Sequence, residues 1–434
     1  MLLDMHLTPS LTVGLCLAAG LTVSAQQPRQ PNYDESKVGN HPLPDPLTCA
    51  DGLKVTDART WQTKRRAEIF QLFQTYVYGR SPTKPGNIIF EITKTDTQAL
   101  GGKATRKEIA IFLTGKKDGP RLDLQLYTPN GAKGPVPAFL GCNFNGNHAV
   151  HADPQITLNP RWMRNSQDKK SVVNNQATEA SRGSEASRWQ VETVIAHGYA
   201  LATYYYGDVE PDHAEGWKDG LRAALAKDGP NTQLASDAWG AIGAWAWGLS
   251  RALDYLEQDK AVDAKKVAVI GHSRLGKTSL WAGASDERFA IVISNNSGEG
   301  GASISRRDFG ETVAVLNKNF PHWFCGNYKQ FSGAPEKLPV DMHQLVALAA
   351  PRPVYIASAA EDQWADPKGE FLAGKFAEPV YALFGKQGTG VAEWPNVNQP
   401  VGDSIGYHVR TGKHDVTAYD WEQYLKFADR HFKK

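Results

Sequence analysis

The amino-acid sequence predicts an α/β fold, a three-layer sandwich whose central sheet is mostly parallel, with antiparallel strands on its N-terminal side. Three observations carry this reading. From Thr193 onward short apolar strand-like runs alternate with helical ones, the order that builds parallel strands covered on both faces. Ahead of that, runs at 87–97, 104–114 and 122–128 alternate apolar and polar residues (Ile109, Ile111, Leu113; Leu122, Leu124, Leu126), which predicts half-buried antiparallel strands. Third, residues 266–284, KVAVIGHSRLGKTSLWAGA, lead an interior strand through a tight turn carrying Ser273 into a helix rich in small residues.

Taken in order, the chain opens with an apolar run from Leu11 to Val23 and then Ser24-Ala25, which predicts a signal peptide at 1–25 and a secreted or periplasmic protein. The run is too short for a membrane span, and no other stretch approaches about 18 apolar residues, so no membrane partner is expected. Residues 26–434 read as one catalytic domain with a Pro-rich arm at 26–56. A helix over 63–78 places Ile69, Phe70, Phe73 and Val77 toward a sheet. The run 135–144 is the first fully apolar strand, and the polar turn after it is a place that can supply an oxyanion donor. Residues 145–190 form a polar insertion with little periodicity; its length and its Trp162 and Trp189 predict that it shapes a binding site. A helix ending at His197, a strand at 200–206 and a helix at 238–258 follow, the last with Ile242, Trp245, Leu249 and Leu253 at core spacing. Strands are expected at 289–294, 354–359 and 405–410, a helical region around Glu311, and a closing helix at 417–432.

With 434 residues, 41% of them hydrophobic, the chain can bury a large core. A net charge of +2 is too balanced for a nucleic-acid partner. Twelve tryptophans offer flat faces that suit sugar rings as well as cores. Cys16 falls in the leader, and Cys49, Cys142 and Cys325 allow at most one disulfide. His148, His151 and Asp153 are the one local cluster of metal-ligating types and read as solvated loop residues, so neither metal nor cofactor is expected, and the protein is expected to act as a monomer.

Chemistry concentrates at the Ser273 corner. A strand-to-helix turn of this kind lifts a serine hydroxyl to the top of a parallel sheet and aims helix N–H groups at the same spot. Gly271-His272-Ser273-Arg274-Leu275-Gly276 departs from the usual G-x-S-x-G pattern because its second glycine comes one place late. Asp362 lies just beyond one predicted strand and His414 in the loop after the last. Serine, acid, histidine is the chain order of the α/β-hydrolase triad, and all three fall at carboxyl ends of strands. Glu361 adjoins Asp362 but points elsewhere; His408 sits inside a strand; His272 faces away from Ser273 and reads as packing. Arg274 and Lys277 place two cations at the positive end of a helix, an unfavourable position that suits a substrate rich in anionic or hydroxyl oxygens.

These residues, Gly271-x-Ser273-Arg274-x-Gly276-Lys277 with Asp362-Gln363-Trp364 and Gly412-x-His414, resemble the signature of glucuronoyl esterases, carbohydrate esterases of the α/β-hydrolase fold. The resemblance spans roughly 135 to the C-terminus. It implies a substrate class, glucuronoxylan and lignin-carbohydrate esters. It also implies Ser273 as nucleophile, His414 as base, Arg274 as oxyanion stabiliser, and Lys277, Glu311 and Trp364 as holders of the sugar hydroxyls. Fungal members take the triad acid from a Glu-Ser-Gly turn; here that turn is Asn296-Ser297-Gly298, and an amide cannot replace a carboxylate. Asp362 is therefore the expected acid, as in bacterial members, with Glu299 in reserve. An acetyl-xylan esterase and a non-catalytic carbohydrate-binding relict remain alternatives on the same fold.

Overall fold

Nine strands make the central sheet of the computed structural model, which describes residues 31–39 and 42–433. In chain order they are β1 (Ile89–Gln98), β2 (Ala104–Phe112), β3 (Arg121–Pro129), β4 (Val136–Asn143), β5 (Ala200–Tyr205), β6 (Val262–His272), β7 (Ile291–Asn295), β8 (Val354–Ala359) and β9 (Ile405–Arg410). Across the sheet the order is β1-β2-β3-β5-β4-β6-β7-β8-β9. Pairs from β1 through β3 to β5 are antiparallel, and pairs from β5 to β9 are parallel. The predicted architecture is thus present, and the period-two runs form its antiparallel part because short turns join only antiparallel neighbours. The expected signal peptide lies outside the described residues. Among the described residues no helix is long and apolar enough to cross a membrane.

Five helices matter for the site: α1 (Arg66–Tyr76), α2 (Ala241–Leu256), α3 (Arg274–Ser285), α4 (Pro367–Ala382) and α5 (Ala418–Phe432). Alternation along β6 feeds two cores. Val267 and Val269 join the larger one with α1 to α4, whereas Ala268 and Ile270 join Trp421, Tyr424 and Phe427 of α5 on the other face. All sixteen residues of α2 are buried, so Trp245 and Trp247 are core, as their spacing predicts.

β4 lies between β5 and β6, so the chain leaves β4 in one direction along the sheet and leaves β6 in the other. Ligands of open parallel sheets bind at such a reversal. The loops after β4 and β6 therefore open on one site. The insertion 145–190 is built of short helical turns and a two-residue hairpin, Val172–Val173 with Gln176–Ala177. Its Trp189 ring packs in the α5-side core with Phe139 and Ile270 and also lines a small cavity beside Gly271 and His272. Trp162 packs on His213, with ring centroids 4.6 Å apart.

Candidate active site

β6 ends at His272 and α3 begins at Arg274, so Ser273 alone makes the corner, with φ 58° and ψ −130°. Such backbone costs about 1–3 kcal/mol and persists only where neighbours impose it. Here Ser273 N donates to Asn295 O at 2.9 Å, and Ser273 O accepts from Gly276 N at 2.8 Å. At Gly271 a Cβ would lie 1.8 Å from the Leu275 carbonyl oxygen. At Gly276 it would come within 3.0 Å of the Ser297 Cβ and 3.1 Å of Asn295 O. The late glycine thus lets α3 close onto the end of β7.

His414 and Asp362 meet across the loops after β9 and β8. His414 Nδ1 lies 2.6 Å from Asp362 Oδ2, and the same oxygen accepts from Asn296 Nδ2 at 2.7 Å. The Asn296 amide therefore steadies the carboxylate from the next strand. Glu299 is elsewhere: its carboxylate accepts from Ser305 Oγ and Tyr328 OH at 2.7 and 2.6 Å, and burial pushes it up to about 8. His414 is held by a device the sequence reading missed. Arg410, at the end of β9, donates to the carbonyls of Thr411, Lys413 and Asp415 and is itself pinned by Asp420 at 2.7 Å. His272 packs as expected, but its partner is the His414 ring, with centroids 4.4 Å apart. Burial and the neighbouring His414 hold the His272 imidazole well below its ordinary value, so it stays neutral. Its Nδ1 donates to Asn295 Oδ1 at 2.6 Å.

Arg274 does not float over the corner. Its guanidinium donates to Asp212 Oδ2 at 2.8 Å and lies 5.0 to 5.9 Å from the rings of Trp323, Phe144 and Phe320. The turn after β4, expected to supply an oxyanion donor, contributes the Phe144 ring of that cage. Asp212 was not legible in the sequence. It accepts from His322 Nε2 (2.7 Å), Trp323 Nε1 (2.8 Å), Tyr206 OH (3.0 Å) and Arg274. Burial opposes its charge, yet the His322 and Trp323 hydrogen bonds and the Arg274 cation keep the carboxyl well below the usual range.

Lys277 is 2% exposed, and its three ammonium hydrogens face three acceptors: Ser297 O (2.5 Å), Glu299 O (2.7 Å) and Glu311 Oε2 (2.7 Å). Glu311 precedes the helix Val313–Asn319 rather than lying in it, and its Oε1 accepts from Trp364 Nε1 at 3.2 Å. The three residues expected to hold the sugar thus form one hydrogen-bonded group, and a sugar hydroxyl reaches Lys277 only by displacing one of its acceptors. Behind them Glu370 of α4 accepts from Ser297 N and Gly298 N (2.6 and 3.0 Å) and fixes the 296–298 turn; burial pushes its carboxyl up to about 8.

Residues His148, His151 and Asp153 do not converge. His148 bonds Ser181, His151 pairs with Glu192, and Asp153 with Arg106. No group of metal-ligating side chains occurs among the described residues. Cys49, Cys142 and Cys325 are buried free thiols.

A nine-stranded sheet reversing beside a serine corner, with an imidazole–carboxylate pair at the ends of two further strands, is the arrangement of a serine hydrolase of the α/β-hydrolase type. A sequence profile of fungal glucuronyl esterases matches residues 231–385. Carbohydrate esterase MZ0003, from an unknown prokaryotic organism, is 52% identical over 405 residues, 93% of each chain. The solved glucuronoyl esterase from Solibacter usitatus is 52% identical, with a TM-score of 0.87 over 92% of this chain and 100% of that one. The 4-O-methyl-glucuronoyl methylesterase of Neurospora crassa is 25% identical over 398 residues, 88% of this chain and 83% of its own. The chain belongs to the glucuronoyl esterase family of carbohydrate esterases.

Proposed function

We propose that this chain hydrolyses the ester between (4-O-methyl-)glucuronic acid on xylan and a lignin alcohol, as a monomer acting outside the cytoplasm after loss of residues 1–25. The observation that carries the reading is the Lys277–Glu311–Trp364 group, in which Lys277 of the first turn beyond Ser273 meets two residues from other loops: a buried, charged, hydrogen-bonded cradle suits sugar hydroxyls and would be wasted on an acyl chain.

In this mechanism the Ser273 hydroxyl attacks the uronoyl carbonyl carbon while His414 takes its proton, and Asp362 stabilises the imidazolium. Negative charge develops on the carbonyl oxygen, where the α3 N-terminus and the Arg274 guanidinium meet it. Collapse breaks the bond to the alcohol oxygen, which takes the proton from His414. Water then attacks the acyl-enzyme, giving its proton to His414, and the free uronic acid leaves with Ser273 restored. Glu311 and Trp364, oriented by Lys277, hold the ring hydroxyls.

The test compares benzyl glucuronate, acetylated xylan and a simple aryl acetate. Glucuronate cleavage should dominate, and Ser273→Ala should lower it by at least about 10⁴-fold with the fold retained. Preference for acetylated xylan would replace this reading by the acetyl-esterase one, and near-normal turnover in the serine variant would remove Ser273 from the mechanism.

A further inference from the structure

Three large aromatic side chains stand exposed among the described residues, Tyr33, Phe376 and Trp394, and two of them flank the segment that carries Trp364. Tyr33 is 53% exposed on the short stretch of N-terminal arm that docks there. Asn32 O accepts from Gly310 N at 2.8 Å, one residue before Glu311. Gly310 in turn lies so close to the backbone that a Cβ on it would come 2.5 Å from the carbonyl oxygens of Gln363 and Trp364. Glu35 clamps the arm through Arg307 and through Lys368, the latter at 2.9 Å, and the Tyr33 ring stands edge-on to Phe309 at 6.0 Å. Trp394 is 39% exposed yet fixed: its Nε1 donates to Tyr407 OH at 3.0 Å, and Tyr407 OH donates to Pro367 O at 2.8 Å. Both rings are therefore tethered to Pro367–Lys368, at the start of α4, immediately after Asp362–Trp364.

We propose that Tyr33 and Trp394 form a carbohydrate subsite outside the Glu311–Trp364 cradle, which stacks the neutral sugar residues of the chain bearing the uronic acid. The inference rests on the reading of the cradle as the uronic-acid site. Rigid aromatic rings bury large flat area at low entropic cost, and a neutral sugar offers an apolar ring face with hydroxyls at its edge. The surroundings suit such a ligand: Gln363, Asn396 and Gln399 stand exposed on the same segments and supply neutral donors and acceptors. Glu35, Lys368, Arg307 and Asp366 are paired with one another, which leaves the carboxylates Glu361 and Glu393 as exposed charges on the segments of Gln363 and Trp394 and no cation among the four for an acidic peptide. The Asp362 carboxylate also raises the Tyr33 phenol, after partial burial, which sets that ring near the triad end of the segment.

The experiment uses three esters: methyl glucuronate, benzyl glucuronate, and the methyl ester of a glucuronic acid carried on a xylo-oligosaccharide. Tyr33→Ala and Trp394→Ala are compared with the wild type, folding being checked by thermal denaturation. For each variant kcat/KM on the oligosaccharide should fall about 3- to 10-fold, through KM, the loss of one stacked ring. On methyl glucuronate it should change less than 2-fold. An equal effect on the mono- and oligosaccharide methyl esters would overturn the proposal, as would no effect on either. A loss confined to the benzyl ester would assign the rings to the alcohol instead and overturn it too. A wild type that cleaves none of the three would sink the esterase reading and this inference together, whereas one that cleaves the two methyl esters with equal kcat/KM would sink this inference alone.

Discussion

Asp362 offers its carboxylate to one imidazole and one amide, whereas Asp212, equally buried, is saturated by a guanidinium, an indole, a phenol and an imidazole. The contrast follows from what each partner does in the proposed reaction. His414 changes charge twice per turnover, so its acid needs a geometry that serves both the neutral and the charged ring. Arg274 keeps its charge throughout, and its counter-ion needs only to hold it still. Four donors hold the Asp212 carboxylate as a permanent anion, and the aromatic cage keeps water from screening the guanidinium it aims.

Breaking the mobile partnership should cost most. Asp362→Asn keeps the shape but supplies the wrong hydrogen-bonding pattern to His414 Nδ1, and kcat should fall roughly 10³- to 10⁴-fold. Retention of more than a tenth of wild-type kcat, with Glu299→Gln inactive, would transfer the role to Glu299. Arg274→Ala removes the cation facing the oxyanion and should lower kcat about 10²- to 10³-fold with little change in KM. Asp212→Asn leaves the cation but loosens its aim, so a loss of about 10- to 100-fold is expected. The sharper readout is the double variant, which should be no worse than Arg274→Ala; additive losses would mean that Asp212 acts independently of Arg274.

A third buried carboxylate sharpens the comparison by having no cation at all. Glu370 is pushed up to about 8 by burial, against an ordinary value of 4.5. A raised carboxyl means that the folded state binds the proton more tightly, so the contribution of Glu370 to stability is greatest below about pH 4.5 and falls as pH rises toward 8. Glu370→Gln can still accept from Ser297 N and Gly298 N and donate to Ser358 Oγ, without titrating. Between pH 5 and 8.5 the variant should lose less stability than wild type, by on the order of 4 kcal/mol in chemical denaturation. Parallel profiles would show that Glu370 is ionised throughout.

The strands, the corner and the two downstream triad positions were legible because their signals are local: period, a glycine-flanked turn, a polar residue just past an apolar run. The misplacements share one cause. The core packing of Trp189 was not foreseen because nothing in 145–190 shows that this turn packs against Ile270. Glu311 read as helical for want of a visible start, which Thr312 provides by capping Val315 N. Arg410 could have been found, since an arginine closing an apolar strand before the histidine loop needs acceptors nearby. Asp212 could not: its four donors come from 206, 274, 322 and 323, and only the sheet's reversal between β4 and β6 gathers them.

Sequence alone determined the order of layers, the position of the corner and which carboxylate and histidine to look for together, because each depends on neighbours within a few residues. Tertiary structure decided how the charges are shared. Lys277 and Arg274 are three residues apart and look equivalent in the chain. One turn of helix sends Lys277 inward to two carbonyls and Glu311, and leaves Arg274 at the rim of the site against Asp212 and three rings. A buried cation has to find acceptors wherever the packing provides them, and which carboxylate arrives is settled by the loops that the sheet brings together.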